Sequence, residues 1–510
     1  MQRNADYRPD DCAVVFGETR LSNAALHARA ERCGRAFLAH GIAPGDRVAL
    51  LLENSPEFVA AFFGIAACRA VAVPLNLELK AEEIAFYLGD AGVRCLLVDP
   101  ARVALALQVV AGLPQRCEVI VAGPEVPGTL ALPDLLANAP PVKLPACRHD
   151  DELIYIYSSG STGRPKCAPR TVLQYWWEMN SVIECLGLGR QDVIFCMIPL
   201  FHNFGAVHCM LAAAGSGARL VILDGANPFA LHRQRALRLI AGEAATILPG
   251  VPFMFGHLAN TRGDFDLSRV RICYSAAAAL TPETAAAFLA RFGVPIRNHY
   301  GCTEVGVMTI DLDPQPRADG ATVGRAFPGV RIRILDDTGS ELPPGEVGEV
   351  VVASRAMTSG YRGGAEDGRA LFRDGNYHTG DLGALDSAGR LFLHGRKKFV
   401  IDVVGQKVSP VEVEDVLAAH PAVRESVVIG IPAADGRGET VMAYVVAATP
   451  CTADELQSFC AARLANFKVP RSLAFISEVP RNGLGKLLRR RELLDARRID
   501  APAPQRESTP

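Results

Sequence analysis

The chain has 510 residues, of which 49% are hydrophobic and 21% are charged, and its formal net charge is -2. This length predicts two or more globular units. The small net charge gives no general attraction to nucleic acid or to an anionic membrane, so we expect a small-molecule substrate. No apolar run has the ~18–20 residues of a membrane span, and the 14 cysteines stand singly, without zinc-like spacing. A cytoplasmic location with reduced, mostly buried cysteines is therefore expected.

The first 300 residues predict alternating helices and strands. Hydrophobic periodicity predicts an amphipathic, N-capped helix over 19–40, then strand 47–52, helix 55–70, strand 71–75, helix 81–91 and strand 94–98. A second series follows a predicted strand at 153–156: helix 171–186, strand 193–198, helix 205–215, strand 218–223, helix 229–242, strand 245–248, helix 281–292 and strand 295–298. Such alternation predicts parallel sheets covered by helices.

The pattern changes at about residue 320, where short strands are separated by Gly and Pro. The last ~110 residues alternate strand and helix on a smaller scale, which indicates a second domain. From Ile499 the chain is rich in Pro, Ser and charge, so a disordered tail is expected. The predicted fold class is α/β: a large N-terminal domain of helix-covered sheets with a small β subdomain, followed by a small α+β C-terminal domain.

A segment rich in hydroxyls and glycines follows the strand at 153–156. Gly160 and Gly163 can turn backbone N–H groups toward an anion, and Lys166 adds a positive charge. The hydroxyl donors are Ser158, Ser159, Ser161 and Thr162. The segment does not fit the Walker A pattern, which needs Lys directly after the second glycine, because Arg164 and Pro165 separate Lys166 from Gly163. It is compatible with a phosphate-binding loop, although alone it is more typical of a Ser/Gly turn between a strand and a helix.

Four later segments add groups that a nucleotide site needs. In the run from Asn298 to Glu304, Tyr300 offers an aromatic face for a base, Thr303 a hydroxyl for a phosphate and Glu304 a carboxylate suited to Mg²⁺. The other three segments contribute Asp381, which can accept both hydrogens of a ribose diol, Arg396 as a second sugar or phosphate contact, and Lys486 in a glycine loop near the C-terminus.

In this order and at these separations, the five segments resemble the adenylate-forming superfamily: acyl- and aryl-CoA synthetases, firefly luciferase and the adenylation domains of peptide synthetases. The resemblance covers about residues 10–495 and is strongest to acyl- or aryl-CoA ligases. It implies that a carboxylate attacks the α-phosphate of ATP to give acyl-AMP and pyrophosphate, and that a thiol then takes the acyl group.

The resemblance also implies a role for each residue. Residues 158–166 would hold the β- and γ-phosphates, Thr303 the α-phosphate and Glu304 Mg²⁺. Tyr300 would stack on adenine beside Asn298, and Asp381 and Arg396 would bind ribose. Lys486 would stabilise the adenylation transition state, and His202 would be a gating aromatic residue near the acyl pocket. Lys398 takes the hinge position between domains 1–397 and 398–510, and the second of these would be mobile.

The chain departs from the superfamily pattern at several positions. Amino-acid-activating members carry an aspartate beside the position of 201–203, and here no acid stands there, which favours an aryl or fatty acid without an α-amino group. Ala276 and Ala279 replace the usual Gly and Pro, and Asp402 replaces a lysine of several CoA ligases.

The thiol acceptor remains open between CoA and the phosphopantetheine arm of a separate carrier protein. The alternative from another class is an NTP-hydrolysing or non-catalytic nucleotide-binding protein.

Overall fold

A computed structural model describes residues 1–158, 165–225, 229–314, 322–363, 370–403, 406–433, 439–481 and 487–500, without the side chains of 398, 402 and 407. The chain forms two compact units. Unit 1 comprises Met1–Gly320, Gly324–Ile332 and Val352–Tyr377, and unit 2 comprises Ala321–Val323, Arg333–Val351 and His378–Pro510. Within the described ranges, no helix is long and apolar enough to cross a membrane.

Unit 1 holds a seven-stranded sheet in the order β7-β6-β5-β3-β4-β8-β9, in which only β8 and β9 pair antiparallel. Its strands are β3 Arg47–Leu51, β4 Val71–Pro74, β5 Val93–Val98, β6 Glu118–Val121, β7 Leu130–Ala131, β8 Glu152–Ser158 and β9 Lys166–Thr171.

A second series of strands in unit 1 runs β15-β14-β13-β12-β10-β11-β1-β2 and is parallel from β14 to β1. These strands are β1 Cys12–Phe16, β2 Thr19–Ser22, β10 Val193–Cys196, β11 Arg219–Ile222, β12 Ile247–Gly250, β13 Ile272–Ser275, β14 Ile296–Cys302 and β15 Gly306–Ile310. The predicted parallel sheets are confirmed.

Helices of unit 1 begin at side-chain caps. Ser22 and Ser55 accept hydrogen bonds from the N–H groups of Ala25 and Phe58, and Thr171 forms a reciprocal capping box with Gln174. The helices are α1 Gln2–Tyr7, α2 Asn23–Ala39, α3 Pro56–Ala67, α4 Ala81–Ala91, α5 Val103–Ala111, α6 Leu132–Ala137, α7 Val172–Leu186, α8 Asn203–Gly205, α9 Ala212–Ser216, α10 Phe229–Gly242, α11 Pro252–Ala259 and α12 Pro282–Phe292, with a π-helix over Ala206–Leu211 and a 3₁₀ turn at Pro100–Arg102. The predicted helix over 19–40 begins only after Ser22, because Thr19–Ser22 pairs with β1.

The core of unit 1 lies between its sheets and helices. Phe58, Phe62 and Ile65 of α3 are fully buried there. Truncating a buried phenylalanine of this kind to alanine costs ~3–5 kcal/mol. All 14 cysteines are free, as expected, and Cys147 alone is exposed.

Unit 2 contains strands in the order β17-β18-β20-β21, of which β20 and β21 pair antiparallel, a hairpin β22-β23 and a sheet β24-β25-β26-β27. The remaining strands are β16 Thr322–Ala326, β17 Val330–Leu335, β18 Gly348–Ser354, β19 Phe372–Arg373, β20 Asn376–Leu385, β21 Leu391–Arg396, β22 Ile401–Val403, β23 Gln406–Val408, β24 Val423–Pro432, β25 Glu439–Ala447, β26 Ser472–Ile476 and β27 Arg498–Ile499. Its helices are α13 Pro410–Ala418, α14 Ala453–Ala461 and α15 Arg491–Asp495, with 3₁₀ turns at Lys397–Phe399 and Asn466–Lys468. The predicted domain boundary at 397/398 and the mobility of the C-terminal domain stay predictions.

Candidate active site

The predicted phosphate loop connects two strands. β8 ends at Ser158 and β9 begins at Lys166, and these two residues face each other in the antiparallel register. The expectation of a turn leading directly into a helix is wrong, because β9 precedes α7. Within the loop, Ser159, Gly160, Ser161, Thr162 and Gly163 lie outside the described residues. The paired ends therefore place the first and last members of the predicted loop side by side.

Glu304 lies in the turn between β14 and β15, one residue after Thr303. It is 6% exposed, and its Oε1 accepts a hydrogen bond of 2.6 Å from the Tyr361 hydroxyl. Its carbonyl oxygen accepts the N–H of Thr358 at 2.9 Å. Lys166 Nζ lies 5.4 Å from the centre of the Tyr361 ring, a cation–π distance. Tyr361 thus joins the predicted phosphate lysine and the predicted metal ligand.

Tyr361 was not predicted as a site residue. It lies far from Glu304 along the chain, and no motif around it distinguishes it from other loop tyrosines. Burial raises the pKa of Tyr361 and of neighbouring Tyr377, with the Glu304 carboxylate adding to both shifts. Both phenols are therefore neutral at physiological pH, and Tyr361 donates its proton to Glu304.

The predicted adenine-binding residues lie on β14. Asn298 is opposite Ser275 of β13, and Tyr300 is opposite Thr309 of β15. After β13, Ala277 has a φ of +68°, a left-handed conformation that costs a non-glycine residue energy and often marks a functional site. The strained residue is Ala277 and not Ala276, so the alanine that replaces the superfamily's glycine adds no strain of this kind.

The two predicted ribose-binding residues face each other in unit 2. Asp381 on β20 is opposite Arg396 on β21, and Asp381 Oδ1 lies 2.6 Å from Arg396 Nε. Asp381 is 8% exposed, and its backbone N–H donates to the hydroxyl of Thr379. The ion pair holds the carboxylate in one orientation on a strand. Lys486 and the side chains of Lys398 and Asp402 lie outside the described residues.

His202 precedes α8, and its ring lies 4.9 Å from that of Phe201. Burial lowers the pKa of His202 to about 4, so the imidazole is neutral at physiological pH. The next residue, Asn203, is held by two buried side chains: Tyr175 donates to its Oδ1 at 2.6 Å, and its Nδ2 donates to Glu178 Oε1 at 2.8 Å. The segment that carries His202 is thereby fixed to α7.

Glu178 also forms an ion pair with Arg170 at 2.7 Å, and both side chains are 0% exposed. The Arg170 guanidinium lies 4.6 Å from the centre of the Tyr175 ring. Gly306, with a φ of +85°, approaches so closely that a Cβ there would overlap the Glu178 carboxyl group. No acid stands beside residues 201–203 in the sequence. In the structure, however, Glu178 on α7 accepts a hydrogen bond from Asn203. Its charge is already neutralised by Arg170.

Mg²⁺ typically binds proteins through one or two carboxylates and completes its shell with water and substrate phosphates. Among the described residues, no group of three or more His, Cys, Asp or Glu side chains is arranged to hold a metal. One buried carboxylate whose Oε1 is already oriented by Tyr361 fits an ion that takes most of its ligands from a nucleotide.

Family models match both parts of the chain: the AMP-binding enzyme model covers residues 1–362, and the AMP-binding enzyme C-terminal domain model covers residues 412–486. The chain belongs to the AMP-binding enzyme family. The predicted adenylate-forming superfamily, the fold class and the activity as an acid–thiol ligase are confirmed.

The family includes relatives with different acyl acceptors. The chain is 32% identical over 494 residues to a feruloyl-CoA synthase of Amycolatopsis sp, covering 96% of both chains. It is 33% identical over 513 residues to a fatty acid–[acyl-carrier-protein] ligase of Streptomyces coeruleorubidus, covering 96% of this chain and 94% of the relative.

Solved structures of the same family have the same fold. ATP-bound MatB from Rhodopseudomonas palustris gives a TM-score of 0.87 at 28% identity, covering 96% of both chains. An anthranilate CoA ligase in complex with anthranoyl-AMP gives 0.86 at 29% identity, covering 95% of this chain and 94% of that one.

Proposed function

We propose that the chain activates an aryl or fatty carboxylic acid without an α-amino group with ATP, releases pyrophosphate and transfers the acyl group from the adenylate to CoA. The single observation that carries this proposal is the arrangement around Tyr361, where the buried Glu304 carboxylate and Lys166 meet at the end of the β8–β9 hairpin. A reaction between a carboxylate and ATP needs two anions brought together, and this arrangement supplies both a cation for phosphate and a carboxylate for a metal.

Each of the phosphate- and metal-binding residues has a separate role in this reaction. The loop from Ser158 to Lys166 binds the phosphates that leave as pyrophosphate, Thr303 binds the α-phosphate and Glu304 binds Mg²⁺, which would neutralise phosphate charge. Tyr361 holds Glu304 in one orientation, so the carboxylate needs no reorganisation when ATP binds. Lys486 adds positive charge at the reacting phosphate.

Recognition of the nucleoside falls to the remaining predicted residues. Tyr300 and Asn298 bind adenine, and Asp381 with Arg396 binds the ribose hydroxyls. Asp381 is already oriented by its ion pair with Arg396, so its carboxylate needs little reorientation to meet the ribose hydroxyls.

Two features support an acid without an α-amino group. The segment of His202 contacts one acid through Asn203, namely Glu178, and Arg170 already neutralises it. Binding an ammonium group there would require a second cation beside a fully buried guanidinium, which is costly. The cytoplasmic location predicted from the sequence stays a prediction.

The function is tested by carboxylate-dependent exchange of labelled pyrophosphate into ATP, across aromatic, fatty and amino acids. We expect exchange with aromatic or fatty acids and none with amino acids. The alternative of an NTP-hydrolysing or merely nucleotide-binding protein predicts no acid-dependent exchange with any of them.

The acceptor is tested separately by supplying CoA or a carrier protein bearing phosphopantetheine to the preformed adenylate. The carrier-protein alternative is kept because one relative is named as a ligase for an acyl-carrier protein. Thioester formation with the carrier protein and not with CoA would decide for that alternative.

A further inference from the structure

Unit 1 contains a cluster of packed rings, buried except for the half-buried Phe204, which lies two residues after His202. It consists of Phe204, His208, Tyr274, His299 and Phe327. The centres of the two imidazoles are 4.8 Å apart, and the Phe204 ring lies 4.8 Å from His208 and 5.6 Å from His299. His208 lies on the π-helix Ala206–Leu211, a rare form that often occurs at functional sites. The function proposed above uses neither imidazole.

The proton of His299 is located by its hydrogen bond. Nδ1 lies 2.8 Å from the carbonyl oxygen of Thr309, and a carbonyl oxygen can only accept. Burial lowers the pKa of His299 to about 4, so the ring is neutral and carries one proton. That proton is on Nδ1, and Nε2 presents a lone pair.

His208 has the opposite tautomer. Its Nδ1 lies 2.9 Å from the hydroxyl of Tyr274, which is fully buried and makes this single hydrogen bond within the described residues. Burial lowers the pKa of His208 and raises that of Tyr274, so both are neutral. The hydroxyl must donate to Nδ1, because its proton would otherwise be buried without an acceptor. Nε2 of His208 therefore carries the ring proton and is a donor.

One donor and one acceptor are thus left on neighbouring rings. His208 is 2% exposed and His299 is 7% exposed, and neither Nε2 has a hydrogen-bond partner in the part of the chain that the structure describes. We infer that the two Nε2 atoms bind a hydroxyl substituent on the aromatic ring of the carboxylic acid. The hydroxyl accepts from His208 and donates to His299, while the half-buried Phe204 contacts the ring.

This inference rests on the proposed function and narrows its substrate class. A second carboxylate or a sulfonate on the acid would meet the lone pair of His299 and no cation among these rings, so such acids are disfavoured. A methyl group of similar size would leave both nitrogens without partners. A hydroxyl is the small substituent that matches one donor and one acceptor at once.

The test uses pyrophosphate exchange with acids that differ by one group. The pairs are 3- or 4-hydroxybenzoate against benzoate, and 4-hydroxycinnamate against cinnamate, with 4-methylbenzoate and terephthalate as size and charge controls. We expect kcat/KM to be at least ~10-fold higher for a hydroxylated acid than for its parent and its methyl analogue, because a site built to bind a hydroxyl rejects analogues that lack it.

Two variants connect this preference to the imidazoles. His208→Phe and His299→Leu should each reduce the preference to within ~3-fold and leave exchange with the parent acid largely intact. The matched control is His257→Phe, since His257 on α11 contacts Phe229 and Phe253 and not the cluster; it should keep the full preference. If either apolar variant fails to fold, His208→Gln and His299→Gln replace it in the same comparison.

Each outcome bears on one claim. Exchange without a preference for hydroxylated acids would overturn this inference and leave the proposed function standing. A preference for the methyl or dicarboxylic analogue would overturn it too, as would variants that lower exchange equally with every acid. Absence of exchange with every acid would instead overturn the proposed function.

Discussion

Replacing Arg170 with methionine should strongly destabilise unit 1. Among the described residues, the change removes the one cation paired with Glu178, whose side chain is 0% exposed, and leaves Asn203 Nδ2 as the donor to that carboxylate. Breaking a buried ion pair by removing one partner typically costs ~3–5 kcal/mol, because a charge stays buried without compensation. We expect a loss of that size in the free energy of unfolding.

The double variant Arg170→Met with Glu178→Gln should be more stable than Arg170→Met alone. Glutamine can keep a hydrogen bond with Asn203 without carrying a charge. Arg170 Nε and Nη1 are buried without partners in the described structure, and methionine removes both donors. The matched control is Arg148→Met, since the Arg148–Asp150 pair is 62% and 74% exposed and should contribute at most ~1 kcal/mol.

Urea unfolding followed by tryptophan fluorescence suits this test. The chain has two tryptophans, Trp176 and Trp177, and both lie on α7 with Glu178. The signal therefore reports the unfolding of the unit that contains the ion pair. A loss for Arg170→Met no larger than that for Arg148→Met would refute the reasoning, as would a double variant less stable than Arg170→Met.

Four further outcomes are expected. Tyr361→Phe removes the donor to Glu304 and keeps the ring beside Lys166, so acid-dependent pyrophosphate exchange should fall ~10- to 100-fold with little change in thermal midpoint. Asp381→Asn should raise the KM for ATP ~10-fold or more in the same assay, and an unchanged KM would contradict its role at ribose. His202 has a pKa lowered to about 4 against ~6.5 for an unfolded histidine, so the unfolded chain binds more protons and stability rises with pH between these values. His202→Gln should reduce that rise in thermal midpoint, and the part that remains comes from buried His208 and His299. Lys486→Ala should lower adenylation by orders of magnitude while thioester formation from supplied acyl-adenylate survives, and equal loss in both steps would remove its assigned role.

The alternating elements of unit 1 were predictable because their signals are local. Ser22, Ser55 and Thr171 are strong helix caps, and each begins a helix in the structure. β9 was missed because Pro169 and Arg170 argue against a strand. Pro169 is tolerated because β9 lies at the edge of its sheet, where one side needs no backbone donor. Arg170 can be buried because Glu178 neutralises its charge, and no local sequence pattern indicates this pairing.

The candidate site could be proposed from the sequence where motifs indicate it, and not where it depends on packing. Glu304 and Asp381 stand in recognisable segments, whereas Tyr361 and Glu178 reach the site from separate elements and belong to no motif. The tautomers of His208 and His299 depend on Tyr274 and Thr309, which lie on other strands. Contacts of this kind depend on how neighbouring strands are aligned in the sheet. No local pattern in a single sequence indicates that alignment.

Gly306 lies close against Glu178, so the residues at these two positions cannot vary independently of each other in evolution. Any side chain at 306 would collide with the Glu178 carboxyl group and would also have to adopt a φ of +85°. A member of the family that carries a side chain at 306 should therefore carry a shorter residue at 178, and should also lack the arginine at 170. We therefore expect a family member to carry either all three of the residues Glu178, Arg170 and Gly306 or none of them.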